Sequence, residues 1–185
     1  MKKILLLFIC VFAFGVAANA QGKCGHINTQ ELVSLMSDRD SAIVKIQAYA
    51  KDLDETLSGM QDEYNTKLAE YQRKQGEWAP VVRESKERDI QELIQRIQQF
   101  QQSAQQDMGQ MQQELMAPVV KKAQDAITKI AKANDLTYVY DLAVGALIYF
   151  DEAKSMNLLP LVKKELGIPA EKVAPTQFAT PEETK

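Results

Sequence analysis

The sequence predicts a mostly α-helical fold: one long antiparallel helical hairpin, a coiled-coil arm, flanked by short strands that form a small β body for oligomerisation. Three observations carry that expectation. Apolar residues alternate in steps of three and four from Ile43 to Tyr64. A breaker at Gly76–Pro80 is followed by a second apolar seam of matching length. Short β-rich runs stand at both ends of this pair of seams.

The chain opens with a segment that reads as a cleavable leader over residues 1–20. Lys2 and Lys3 precede an apolar run from Ile4 to Val16, and Ala18-Asn19-Ala20 has the small-residue cleavage pattern. A retained membrane anchor is the competing reading, but the run falls short of the roughly 20 residues that a spanning helix needs. Neither Cys10, deep in the apolar run, nor Cys24, after Lys23, has the context of a lipid-anchored cysteine. Cleavage leaves Cys24 as the only cysteine, which excludes an intramolecular disulfide. A half-buried strand residue is the favoured role for that thiol.

Next comes a short strand, with Cys24-Gly25-His26-Ile27-Asn28 in residues 21–28 and Thr29 as a candidate N-cap. The hairpin then spans 29–133. Its first seam is Ile43, Ile46, Ala50, Leu53, Leu57, Met60 and Tyr64, a heptad pattern held over three repeats. One line continues through Tyr71 and Trp78 while Lys67 and Lys74 interrupt the other, so the seam thins toward a tip near 76–84. Pro80 and the restriction that it places on Ala79 should break the helix there.

The second seam runs from Ile90 through Leu93, Ile97, Phe100, Ala104, Met108, Met111, Leu115, Val119, Ala123 and Ile127 to Ile130. Repeated steps of four from Ala104 to Met108 read as a stutter. Pro118 should kink the helix without ending it. Folding the chain near residues 80–81 sets Tyr71 opposite Ile90, Met60 opposite Phe100, Leu57 opposite Ala104, Leu53 opposite Met108 and Ile43 near Val119. Apolar faces apolar at every layer. Arms of about 40 residues reach about 60 Å and bury only a narrow stripe.

Residues 134–168 return to the body. Asn134-Asp135 closes the helix, Leu136–Leu142 and Ala146–Phe150 read as strands, and Asn157–Leu166 reads as a short helix stopped by Gly167 and Pro169. So small a core with a strand apolar on both sides implies cover by other copies of the chain. Residues 169–185, with Pro175 and Pro181 among Thr, Glu and Lys, read as a disordered tail.

Composition narrows the chemistry. The formal charge of −3 becomes −5 without Lys2 and Lys3, and no long basic block or nucleic-acid motif is present, which speaks against nucleic acid as a partner. His26 is the only histidine, and with Cys24 it cannot supply a zinc ligand set or an oriented nucleophile. No GxSxG, Walker or GxGxxG motif occurs, so no enzyme, cofactor or metal is expected. Off the strict seam, Tyr49 and Met116 could offer adaptable apolar surface, as could Trp78, Val81 and Val82 at the tip. The Gln-rich face from Gln91 to Gln113 carries amides able to meet an extended polypeptide with little charge preference.

Leader, strand, hairpin and returning strands, in that order, resemble the Skp/OmpH family of periplasmic chaperones. The most specific parts are Gly25-His26-Ile27-Asn28-Thr29-Gln30, Tyr138-Val139-Tyr140-Asp141, Gly145-Ala146-Leu147-Ile148-Tyr149-Phe150, and Asn157 to Gly167. The resemblance implies a periplasmic homotrimer that holds unfolded outer-membrane β-barrel proteins without ATP, near but not across a membrane. It makes Ile27, Val139, Leu147 and Tyr149 residues of the trimerisation body. The better-known members are basic, so the acidic charge of this chain argues against a lipopolysaccharide role. An envelope coiled-coil adaptor that binds partners through its hairpin tip is the alternative function.

Overall fold

The computed structural model describes residues 22–174; the leader expected at 1–20 and the tail beyond Ala174 lie outside the described residues. The element order is β1 (Lys23–Ile27), α1 (Thr29–Leu35), α2 (Ser37–Lys74), α3 (Pro80–Ala133), β2 (Leu136–Asp141), β3 (Ser155–Asn157) and α4 (Leu159–Glu165). The chain divides into two compact units, one of Met1–Met36 with Val119–Lys185 and one of Ser37–Pro118.

The Ser37–Pro118 unit holds the expected hairpin. Helix α2 carries Asp38 and Asp40 in its first turn and Arg73 and Lys74 in its last, each sign matched to the helix dipole. Three i,i+4 ion pairs, Lys51–Glu55, Glu63–Lys67 and Glu70–Lys74, lie along it at 3.2–3.4 Å. At such exposure water screens them, and each adds little. The turn covers residues 75–79, earlier than the expected fold near 80–81. Pro80 starts α3, where its missing N–H costs nothing because first-turn donors have no partner within the helix. Pro118 interrupts one backbone bond, and α3 continues through it.

The other unit is built on a three-stranded parallel sheet of order β2-β1-β3. In register, Gly25 lies between Val139 and Met156, and His26 between Tyr140 and Asn157. The core gathers Ile27 from β1, Leu32 and Met36 from α1 and its C-cap, Val119, Ala123 and Ala126 from α3, and Leu158 and Val162 around α4. Thr29–Met36 and Val119–Ala133, assigned to the hairpin by sequence, therefore belong to the sheet's unit. The physical reason is the extended backbone at Met36 (φ −79°, ψ 131°), which separates α1 from α2, while the apolar side chains on either side of that break fill one core.

Several local expectations are corrected. The α1 N-cap is Asn28, whose side chain accepts from Glu31 N at 3.0 Å; Thr29 instead gives its hydroxyl to Asp141 at 2.6 Å. Ala146–Phe150 forms no strand within the chain. Asp141 caps a 3-10 turn at Leu142–Val144, Gly145 stops it at φ +65°, and Asp151 caps a second turn at Glu152–Lys154. The free edge of β1 is then taken by Ser155–Asn157.

Helix α4 ends as expected at Gly167 (φ +69°), with Ile168 N donating to Lys163 O and Gly167 N to Lys164 O. The tail expected from 169 is held as far as Ala174. The buried Lys163 ammonium donates to the carbonyls of Ala170 and Lys172, both at 2.7 Å, and Ala174 is buried.

Candidate functional site

Along the hairpin, the heptad positions chosen from sequence are the ones that leave solvent. Ile43, Ile46, Ala50, Leu53, Leu57, Met60, Tyr64, Tyr71 and Trp78 are all half-buried, while most residues between them are exposed. On α3, Ile90 and Leu93 are buried and Ile97, Phe100, Ala104, Met108, Met111 and Leu115 half-buried. Two helices alone enclose few side chains on all sides, so away from Ile90 and Leu93 this seam keeps one flank of its apolar residues open to water. That open flank is the candidate contact surface.

The seam is not uniform. Where Ala50 on α2 and Ala104 on α3 replace larger residues, the helices leave a groove of about 570 Å³. Leu53, Leu57, Phe100 and Met108 complete its apolar lining, drawn from the two stretches that the sequence sets opposite one another. Asp54, Gln101 and Gln105 supply its polar part. Neither alanine was singled out by sequence as a binding position. The signal available was the stutter around Ala104 together with small residues at two seam positions.

At the turn, the Trp78 ring packs 6.0 Å from that of Tyr71, and Lys86 Nζ stands 5.8 Å from the Trp78 centroid. The Tyr71 hydroxyl donates to Glu87 across the hairpin, and that bond to a carboxylate raises the phenol above its ordinary range. Lys74, through its hydrogen bond and its charge, lowers the Glu70 carboxyl. Of the sequence candidates, Trp78, Tyr49 and Met116 are half-buried, and Val82 and Val81 are exposed, Val81 at 72%. Trp78, Val81 and Val82 share the turn region; Tyr49 and Met116 lie far from it in sequence, one on each helix.

In the sheet's unit, alternation puts Gly25 and Ile27 on the core face and Cys24 and His26 on the other. Cys24 is a free, half-buried thiol whose Sγ donates to Lys154 O at 3.5 Å. His26 Nδ1 lies 2.9 Å from Ser155 Oγ, and its ring packs 5.0 Å from that of Phe150. Asp151 beside Phe150 is lowered by its hydrogen bond to Lys154. Ile27 and Val139 serve the core within one chain. Leu147 is half-buried, whereas Tyr149 is 82% exposed and Ile148 fully so.

Sequence reading missed Asp141 as a structural pin. Its carboxylate accepts from Thr29 N at 3.1 Å, Thr29 Oγ1 at 2.6 Å and Ala143 N at 2.9 Å, tying the end of β2 to the start of α1. Among the described residues no group of three or more His, Cys, Asp or Glu is placed to hold a metal ion, and no helix is long and apolar enough to cross a membrane.

A family model described as outer membrane protein (OmpH-like) matches residues 23–166, from the first residue of β1 to the residue after α4. Among solved structures, an OmpH-like protein of Caulobacter crescentus CB15, proposed to be an outer membrane chaperone, is similar with a TM-score of 0.66. The two share 16% identity over 78% of this chain and 83% of that one, a likeness of fold alone. No curated protein matches. With β1, the whole hairpin, the returning strands and α4 all inside the matched span, the chain belongs to the OmpH-like outer membrane protein family.

Proposed function

We propose that this protein is an exported, periplasmic holdase that binds unfolded outer-membrane β-barrel proteins without ATP and keeps them from aggregating before insertion. The observation that carries the proposal is a hairpin seam left half-buried along most of its length in a chain of the OmpH-like family. Apolar side chains open on one flank offer many weak contacts. Weak contacts in series hold a client through effective concentration and release it without an energy source.

The working form is a homotrimer with the sheet's unit as the oligomerisation body. Support comes from Tyr138, Val144, Ile148 and Tyr149, large side chains that the unit's own core leaves exposed. Leu147 and Tyr149 would face other copies, while Ile27 and Val139 would support the body from its core. The acidic charge weighs against lipopolysaccharide as a ligand.

Dilution of a urea-unfolded outer-membrane barrel protein, with and without the purified chain, tests this by light scattering. A soluble complex of defined stoichiometry formed without nucleotide is expected, and its mass reports the trimer. Unchanged aggregation at several-fold excess refutes the holdase. The Trp78–Tyr71–Lys86 cluster beside exposed Val81 favours an adaptor binding through the hairpin tip as the second reading. That reading requires a folded partner whose binding is lost in Trp78→Ala.

A further inference from the structure

The groove between α2 and α3 has a volume in the range of ligand sites, about 300–1,000 Å³, yet it is open to solvent along the hairpin. Its lining is apolar on both walls, from Leu53 and Leu57 on one side to Phe100 and Met108 on the other. A thioether beside an aromatic ring is a favourable setting for another aromatic or large aliphatic side chain.

The polar groups of the groove restrict the occupant further. Gln101 and Gln105 are one turn apart on α3, a rise of about 6.0 Å, and every second residue of an extended chain repeats at about 6.7 Å. Two amides at that spacing can each meet a backbone group on one side of an extended segment. Asp54 is the only charged residue of the lining, and no Lys, Arg or His contributes. An anionic amphiphile is disfavoured by that charge. A second folded copy would need about 800 Å² of surface per partner, which a groove of nine residues does not offer.

We propose that this groove is a docking subsite for one aromatic or large aliphatic side chain of an extended, unfolded polypeptide whose flanking residues are neutral or basic. The inference rests on the holdase reading and adds to it the place where a client side chain seats and the charge it prefers around it.

Fluorescence anisotropy with labelled eleven-residue peptides tests it on the purified chain. One peptide has a central Phe with Lys, Ser and Thr around it. The controls replace Phe by Ala, or Lys by Glu. The Phe peptide should bind at least about tenfold more tightly than the Ala peptide, and the Lys-flanked form more tightly than the Glu-flanked one.

Ala104→Leu fills the groove from α3. It should raise the thermal midpoint of the hairpin while reducing Phe-peptide affinity to the level of the Ala peptide, a combination that a merely destabilised variant cannot give. Asp54→Lys changes an exposed side chain and should reverse the flank preference with the melting unchanged. Equal binding of Phe and Ala peptides to the unsubstituted chain overturns the proposal, as does a folded Ala104→Leu that binds the Phe peptide undiminished. Should Ala104→Leu fail to fold, Asp54→Lys decides, and an unchanged flank preference overturns the proposal. Suppression of barrel-protein aggregation without peptide discrimination removes the groove and leaves the holdase standing; no suppression removes the holdase itself.

Discussion

Gly25 lies in register between Val139 and Met156 with Leu158 and Leu136 close by, and its absent side chain can be tested as a packing constraint. A Cβ built there would overlap Leu158 Cδ1, stand 2.8 Å from Leu136 Cδ1 and lie 3.1 Å from the Met156 carbonyl oxygen. The half-buried Leu136 tip can turn away and the Met156 carbonyl need give by only a few tenths of an ångström, but Leu158 is fully buried and close packing leaves its Cδ1 little room to move. Overpacking of this kind costs about 1–3 kcal/mol. The reduced freedom of alanine in the unfolded chain returns about 0.4–1 kcal/mol. Gly25→Ala should therefore lose about 1–2 kcal/mol. Leu158, fully buried, should lose about 2–5 kcal/mol on truncation to alanine.

The informative quantity is the double variant. Leu158→Ala removes the atom that the new Cβ meets first, so Gly25→Ala should cost little in that background. A coupling of about 1–2 kcal/mol is expected. Denaturant unfolding at one fixed protein concentration gives the three differences, the concentration being held because an oligomer's stability depends on it. Helix signals are dominated by the hairpin, so amide exchange at Ile27 and Val139 should accompany them. Additive losses, within about 0.5 kcal/mol, would show that Leu158 is not what requires glycine at this position.

Other residues offer tests of the same kind. Lys163→Met leaves the Ala170 and Lys172 carbonyls without their donor, so residues 170–174 should exchange and be cut by protease faster; an unchanged rate would mean that the ammonium does not hold them. Asp141→Ala removes three hydrogen bonds and should lower the unfolding free energy by about 2–4 kcal/mol, read as a lower midpoint at constant m, with Asp141→Asn losing less. Tyr71 has a folded pKa raised above its unfolded value of about 10. Its contribution to the turn is therefore fully present below pH about 10 and lost as pH rises through the raised value. Trp78, the only tryptophan, reports this by its emission. The alkaline change should disappear in Tyr71→Phe, and its persistence there would assign it to another group.

Periodicity made the hairpin legible because each heptad position on α2 and α3 is chosen by one local requirement, an apolar side chain turned toward a single partner helix. Ile43 to Tyr64 and Ile90 to Leu115 satisfy that requirement without help from elsewhere in the chain. The sheet was harder to read for the opposite reason. β1 meets both partners across long separations, and the stretch expected to hold a strand at Ala146–Phe150 is instead flanked by two short turns capped by Asp141 and Asp151. Apolar composition favoured Ala146–Phe150, while Ser155–Asn157 takes the edge. Lys163 was hidden likewise, since nothing in its own stretch shows that two carbonyls beyond Gly167 come back to its ammonium.

The groove joins these two lessons. A hairpin selected only for stability would carry larger residues at 50 and 104, because a filled seam adds about 0.8 kcal/mol for each methylene buried. Ala50 and Ala104 instead forgo that gain along one stretch of the seam, while Ile90 and Leu93, nearer the turn, are buried. Thinning of the seam in general would loosen the whole arm. A gap confined to one stretch of about two turns, walled by Leu57, Phe100 and Met108 and edged by two glutamines one turn apart, keeps the arm formed and leaves apolar surface open. Stability given up along one stretch is the pattern expected of a binding surface, where local departures from optimal packing coincide with function.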